Sequence, residues 1–330
     1  MTLFIGSLQL GLLYGVMVLG IYISFRILNI PDLTAEGSFT LGLAVSAACT
    51  LSGHPFLGLL AAMAAGSLAG SFTGFLHTCL GIHPVLTGIL TMSGLYSVNM
   101  LVLGGTPNLA LMGRDTLFSL AVSAGAGLDK EMTRLCVALA AAGLSAAVLA
   151  WFFRTRLGLY IRATGDNGDM VRASSIHEKR MKLIALALSN GLTALCGGLI
   201  AQYQSFADIS SGVGTLVVGL ASVIIGEALL GRRSVTLGLC SSILGSVVYR
   251  YIIAVATRAD WFPAYMLKLV SALIVTLALA LPALGTMTET YRIRRQGRTA
   301  VRISGTEIET AQRPYGPGAG RGGRHNGIHA

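Results

Sequence analysis

Four polar residues fall two apart along one short stretch of the chain, NIPDLTAEGSF: Asp32, Thr34, Glu36 and Ser38. Two carboxylates and two hydroxyls at this spacing could pass an ion or hydrogen-bond a polar solute, and Pro31 beside them removes a backbone donor and breaks any helix running through. A second role is open: Asp32 and Glu36 could instead cap the helix that follows, whose N-terminus favours negative charge. Glu227 and Arg250 lie within two other apolar stretches, where a buried charge needs compensation, and they are expected to form a structural ion pair between neighbouring helices. Asn99, Asn190 and Gln202 are read as hydrogen-bonding residues between helices or contacts for a solute, and His83, next to Pro84, as a turn residue.

The chemistry that is missing narrows the reading further. No Gly-Lys dipeptide occurs, so a G-x-x-x-x-G-K-[ST] phosphate loop is excluded and the chain cannot be its own ATPase. There is no H-E-x-x-H, no G-x-S-x-G and no His clustered with carboxylates, so no catalytic residue and no metal site are expected. The five cysteines, Cys49, Cys79, Cys136, Cys196 and Cys240, lie in or at the edge of apolar segments without C-x-x-C spacing, as packing residues do.

The elements that must position these residues are apolar and long. Of 330 residues, 53% are hydrophobic and only 12% charged, with a mean hydropathy of +0.71, which sets the chain apart from soluble domains. Crossing about 30 Å of hydrocarbon takes roughly 20 residues at 1.5 Å each. Spans are expected at about 5–28, 38–53, 56–80, 84–104, 134–153, 182–203, 213–231, 235–256 and 262–284. The fold expected is therefore an all-α membrane protein with about eight to nine transmembrane helices and one broken or re-entrant segment near residues 29–40. The first span lacks a basic leader and a cleavage site, and reads as a retained helix.

Charge orients these spans. Between Arg154 and Lys182 lie seven cations against three anions, and after Leu284 eight arginines against three glutamates, so both regions belong on the cytoplasmic side. The stretch 105–133, with Arg114 and Lys130 against Asp115, Asp129 and Glu131, belongs on the other. Topology thus accounts for most of the net charge of +10, and nothing interleaves aromatics with the cations as nucleic-acid platforms do, so no nucleic acid partner is expected. Two parts follow: a membrane domain over 1–284, and a basic tail over 285–330, rich in Gly and Arg and expected to be disordered, whose arginines could touch membrane lipid. In GSLAGSFTG, Gly66, Gly70 and Gly74 make a smooth ridge for close helix packing within the chain.

One polar loop is patterned. In LGLYIRATGDNGDMVRASSIHEKRMKLIALALSNGL, from Leu157 to Leu192, Gly165 ends one element, Asp166 or Asn167 can cap the next, and Met170, Val171, Ser174 and Ile176 give a short helix with a partly apolar face. The segments ATGDN, MVRASSI and KRMKLIALALSNGLTALCGGLIA resemble the cytoplasmic coupling loop and following helix of the ABC permeases for branched-chain amino acids and ribose-type sugars. Residues 11–45 and 212–231 are similar to that family's opening helix with its break and to its Gly-rich later helix, so the resemblance covers roughly residues 5–284.

The resemblance implies a multi-pass inner-membrane permease subunit of an ABC transporter, an importer of a small solute such as an amino acid. It implies Gly165, Asp166, Asn167, Arg172, Ala173 and Ile176 as the element facing the ATP-binding subunit. It also implies a periplasmic or lipoprotein solute-binding protein, a homodimer, and no cofactor on this chain, with ATP and Mg held by the partner ATPase. On this reading Asp32, Thr34, Glu36 and Ser38 are candidates for the translocation path. Two other classes remain open: an ion-coupled secondary transporter using Asp32, Glu36 or Glu227, and a membrane scaffold that transports nothing.

Overall fold

The computed structural model describes residues 2–258 apart from 125–128 and 232–233, together with Leu269, Ala272, Leu273 and Thr276. The rest of the expected span 262–284 and the basic tail 285–330 lie outside the described residues. Among the described residues eleven α-helices run in the order α1 (Thr2–Tyr22), α2 (Thr34–Leu51), α3 (Pro55–Cys79), α4 (Pro84–Val102), α5 (Leu117–Ala124), α6 (Lys130–Phe152), α7 (Arg156–Asp166), α8 (Gly168–Ala173), α9 (Glu178–Gln204), α10 (Thr215–Leu230) and α11 (Val235–Arg258). Seven segments among them are long and apolar enough to cross a membrane, from Phe4–Ile27 to Val235–Arg258. The protein is an all-α, multi-pass membrane protein.

Local chemistry sets the boundaries. Pro55 and Pro84 open α3 and α4, where a missing N–H costs nothing because the first turn has no acceptor for it. The break after α1 is sharper than the sequence suggests. The helix loosens into a π-turn over Ile23–Ile27, Asn29 takes a left-handed φ of 55°, and α2 resumes at Thr34. The second span therefore begins four residues earlier than the expected 38, because the Asp32 carboxylate accepts the Thr34 N–H at 2.9 Å and lets the helix start there. Thr34, Glu36 and Ser38 thus sit on the first turns of α2 and not in the break itself.

Helices α1 and α9 form the centre: 72% of the most apolar stretch of each is buried, against 17% for α6. They run antiparallel, since Gln9 bonds Tyr203 (2.7 Å) while Ser189 donates to the Gly20 carbonyl (2.8 Å). The glycine ridge of α3 lies against α9. A Cβ at Gly70 would come within 2.8 Å of Asn190 Cβ and run into the Leu186 carbonyl, and one at Gly74 would reach Leu183 Cα at 3.0 Å. Helices that gain nothing from excluding water must gain it from such contact, which is why the small residues recur at one face.

A two-stranded antiparallel ribbon, β1 (Asn108–Ala110) with β2 (Phe206–Asp208), and the short α5 were not anticipated from the sequence. The ribbon ties the turn after α4 to the turn after α9, at the end of the bundle remote from the basic loop. Beyond β2 a 3-10 turn, Ile209–Gly212, leads back toward α2 before α10 begins. The chain is therefore interrupted twice, once after each central helix.

Candidate functional site

The first interruption is locked by hydrogen bonds. Asp32, 3% exposed, accepts from Asn190 Nδ2 of α9 at 2.6 Å as well as from Thr34 N. Thr34 meets Thr73 of α3 at 2.8 Å, and Thr73 donates to Thr91 of α4 at 3.0 Å, so three hydroxyls link three helices. Ser38 is fully buried and its hydroxyl makes no hydrogen bond among the described residues. Asp32, Thr34 and Ser38 thus face the inside of the bundle, and Asp32 has both of its oxygens engaged.

Glu36 points elsewhere. Its Oε1 accepts the N–H of Gly214 at 3.0 Å, and Gly214 holds a φ of 84° that a side chain would strain, so the carboxylate of α2 caps the start of α10 from across the break. The second interruption lies against the first turns of α2 here, with Gly212 beside Glu36 and Thr40, and a cavity of about 450 Å³ opens between α2, α4 and the 3-10 turn. Glu36, Thr40, Ser93, Tyr96 and Asn99 supply its polar groups. Asn99 is 2% exposed; its Nδ2 donates to the Gly37 carbonyl at 3.3 Å and its Oδ1 has no partner among the described residues. Of the four path candidates, only Glu36 reaches this cavity. The sequence reading missed the 3-10 turn, although the run DISSGVG with its two glycines is the same kind of interruption signal as NIPDLTAEG.

At the other end of the bundle, α7 and α8 make a compact unit. Asn167, not Asp166, is the cap: its Oδ1 accepts from Asp169 N and Met170 N, each at 3.1 Å. Val171 is buried and Ile176 half-buried against the core, while Met170 is 69% exposed and Asp166 and Ala173 face outward. Arg172 pairs with Glu178 at 2.6 Å and with Asp169 at 3.3 Å, and Lys182 closes on the other oxygen of Glu178 at 2.5 Å. Gly165 is a contact point within the chain. A Cβ there would strike the Ile27 carbonyl, and Asn29 Nδ2 donates to the Gly165 carbonyl at 3.1 Å. The unit is thereby fastened to the residues that lead into Asp32. Beside it a groove of about 770 Å³ runs from His77 and Thr78 of α3 to Arg172, Lys179, Arg180 and Lys182.

The expected pair of Glu227 with Arg250 does not form. Glu227 pairs with Arg26, in the π-turn after α1, and Arg250 lies over the Tyr14 ring at 3.5 Å from its centroid. The reason is the antiparallel packing of α10 on α11, which sets Gly226 beside Ser241. Arg250 is nine residues further on, roughly 13 Å along the axis at 1.5 Å per residue. Nothing in the spacing of Glu227 pointed to Arg26, which is two hundred residues away.

No group of His, Cys, Asp or Glu suited to a metal ion occurs among the described residues.

Comparison with known proteins gives a consistent picture. The family described as the permease component of branched-chain amino acid transport systems matches residues 3–280. The chain is 35% identical over 271 residues to a tyrosine transport system permease protein of Clostridioides difficile, covering 82% of this chain and 88% of that one. It is 36% identical over 227 residues to the uncharacterized protein RP368 of Rickettsia prowazekii, 69% of this chain and 78% of that one. A more distant relative, the autoinducer 2 import system permease protein LsrC of Salmonella typhimurium, is 28% identical over 193 residues, 57% of this chain and 51% of that one. No solved structure matches. A bundle interrupted after each central helix, with a capped polar unit at its basic end and a family match across nearly all of its membrane-embedded length, leads to one conclusion: the chain belongs to the branched-chain amino acid permease family and is a membrane permease subunit of an ABC transporter.

Proposed function

We propose that the protein is the permease of an importer for a small solute such as an amino acid, powered by ATP hydrolysed on a separate subunit. The observation that carries this is the fastening of α7 and α8 to the end of α1 through Gly165, Ile27 and Asn29. A push on α8 is delivered to the segment that holds Asp32 and, one helical turn on, Glu36. An energised partner needs such a lever, and the chain carries no phosphate loop of its own.

On this reading the basic end faces the cytoplasm, the first residues of α1 lie on the outer side, and Asn167, Met170 and Ala173 meet the ATP-binding subunit, with the adjoining cationic groove taking acidic side chains of that subunit. Asp166, Gly165, Arg172 and Ile176 hold the lever in shape. A solute-binding protein delivers solute at the ribbon end, and two copies of the chain enclose the path. The name of the Clostridioides difficile relative, which specifies tyrosine, supports an amino acid as the solute. The test is co-purification of an ATP-binding subunit expressed together with this chain. Met170→Glu, on an exposed position, is expected to abolish it while leaving the yield of folded permease unchanged. Retention of the subunit at parent levels would refute the assignment of α8.

A further inference from the structure

The cavity between α2, α4 and the Ile209–Gly212 turn has a chemistry more specific than a general path. It holds one carboxylate, Glu36, and no Lys, Arg or His lines it. Among the described residues no cation lies within ion-pairing distance of that carboxylate. The backbone at the start of α10 bonds the carboxylate, from Gly214 N–H to Oε1 at 3.0 Å and from Leu216, and leaves its charge without a counter-charge. Asn99, almost fully buried, presents an acceptor, Oδ1, that has no partner among the described residues. A buried acceptor without a donor is costly, and with an uncompensated carboxylate lining the same cavity the site is completed by a ligand that brings a donor and positive charge. Thr40 and Ser93 add hydroxyls, Met92, Ile209 and Val213 supply apolar wall, and Tyr96 lines the cavity while 56% exposed. A volume of about 450 Å³ falls within the range of small-molecule sites.

We infer that this cavity is a solute subsite that holds a protonated amino group between the Glu36 carboxylate and the Asn99 side-chain carbonyl, with the apolar part of the solute against Met92, Ile209 and Val213. The inference rests on the permease reading for its purpose, but not for its chemistry. A purely anionic solute would meet Glu36 with nothing to offset the repulsion. An uncharged sugar would leave the carboxylate without its counter-charge. A primary ammonium offers three donors and one charge, which matches what the cavity lacks.

The charge preference can be read on the permease alone. Ser93 lines the same cavity, so a Ser93→Cys variant of the full chain in lipid nanodiscs places a thiol there. It is labelled with 2-aminoethyl and with 2-sulfonatoethyl methanethiosulfonate, and the rate at that position is followed by mass spectrometry of the peptide containing it. The ratio of the two rates, divided by their ratio on a free thiol, is expected to favour the cationic reagent by at least about tenfold, as a carboxylate in a partly dehydrated cavity requires. Adding Glu36→Gln, which keeps an oxygen for Gly214 N–H, should bring the ratio close to one, while Glu36→Asp should keep most of it. A ratio near one in the parent, or one unmoved by Glu36→Gln, overturns the subsite. Because no ATPase takes part, loss of ATPase co-purification would overturn the transport reading and leave this result standing, and the reverse also holds.

Discussion

The bond from Asn190 to Asp32 decides whether the first interruption is a lock or an open part of the path. Both side chains are at most 3% exposed, and they meet at 2.6 Å inside the bundle. A charge-assisted bond of this length is worth about 1.5–3 kcal/mol in a protein interior, whereas neutral pairs between membrane helices average about 0.6 kcal/mol and reach about 1.7. Asp32 also keeps its bond from Thr34 N in the absence of Asn190, which lowers the loss toward the smaller figure. A double-mutant cycle of Asp32→Ala and Asn190→Ala should therefore show a coupling of about 2 kcal/mol in equilibrium unfolding of the permease in bicelles, with Asn190→Ala alone costing about 2 kcal/mol or more because it strands a buried carboxylate. Additivity within about 0.5 kcal/mol would refute the reasoning, since Asp32 would then owe nothing to α9.

Two other perturbations follow from close approaches. Gly70→Leu forces α3 from α9 where Leu186 and Asn190 already touch the ridge; overpacking of this kind costs about 1–3 kcal/mol, to be read as a lower unfolding midpoint, while Leu68→Ala on the 72% exposed face of the same helix should leave the midpoint unchanged. Gly165→Val drives a side chain into the Ile27 carbonyl and should uncouple the lever, so that the ATPase still co-purifies but solute no longer stimulates its turnover; normal stimulation would show that the contact transmits nothing.

Much of this was legible in the sequence. Apolar runs near membrane thickness located the helices within a few residues, because the hydrocarbon dictates length and because Pro55 and Pro84 mark their own positions as helix starts. The cap at Asn167 and the ridge of Gly66, Gly70 and Gly74 were also readable, both being local patterns with a fixed geometry. The start of α2 was placed too late because Asp32 capping Thr34 extends the helix through residues that look like loop. The partner of Glu227 was not legible at all: helix spacing tells which residues share a face, not which distant helix that face meets, and Arg26 sits in a π-turn that shifts its direction. The cavity escaped for the same reason, since Glu36, Asn99 and Gly212 come together only when the second interruption folds back onto α2. Glu36 was picked out as a carboxylate in an apolar setting, but its neighbours were products of tertiary packing.

On the proposed function this chain moves solute with energy supplied by another subunit. That function is tested most directly by uptake of labelled L-tyrosine into proteoliposomes that contain the permease with its ATP-binding and solute-binding partners, with ATP and Mg²⁺ supplied on the side of the ATPase. Uptake is expected to require ATP and the ATPase, to persist without a proton or sodium gradient, and to disappear with Met170→Glu. Uptake driven by an ion gradient in liposomes that hold the permease alone would contradict that function.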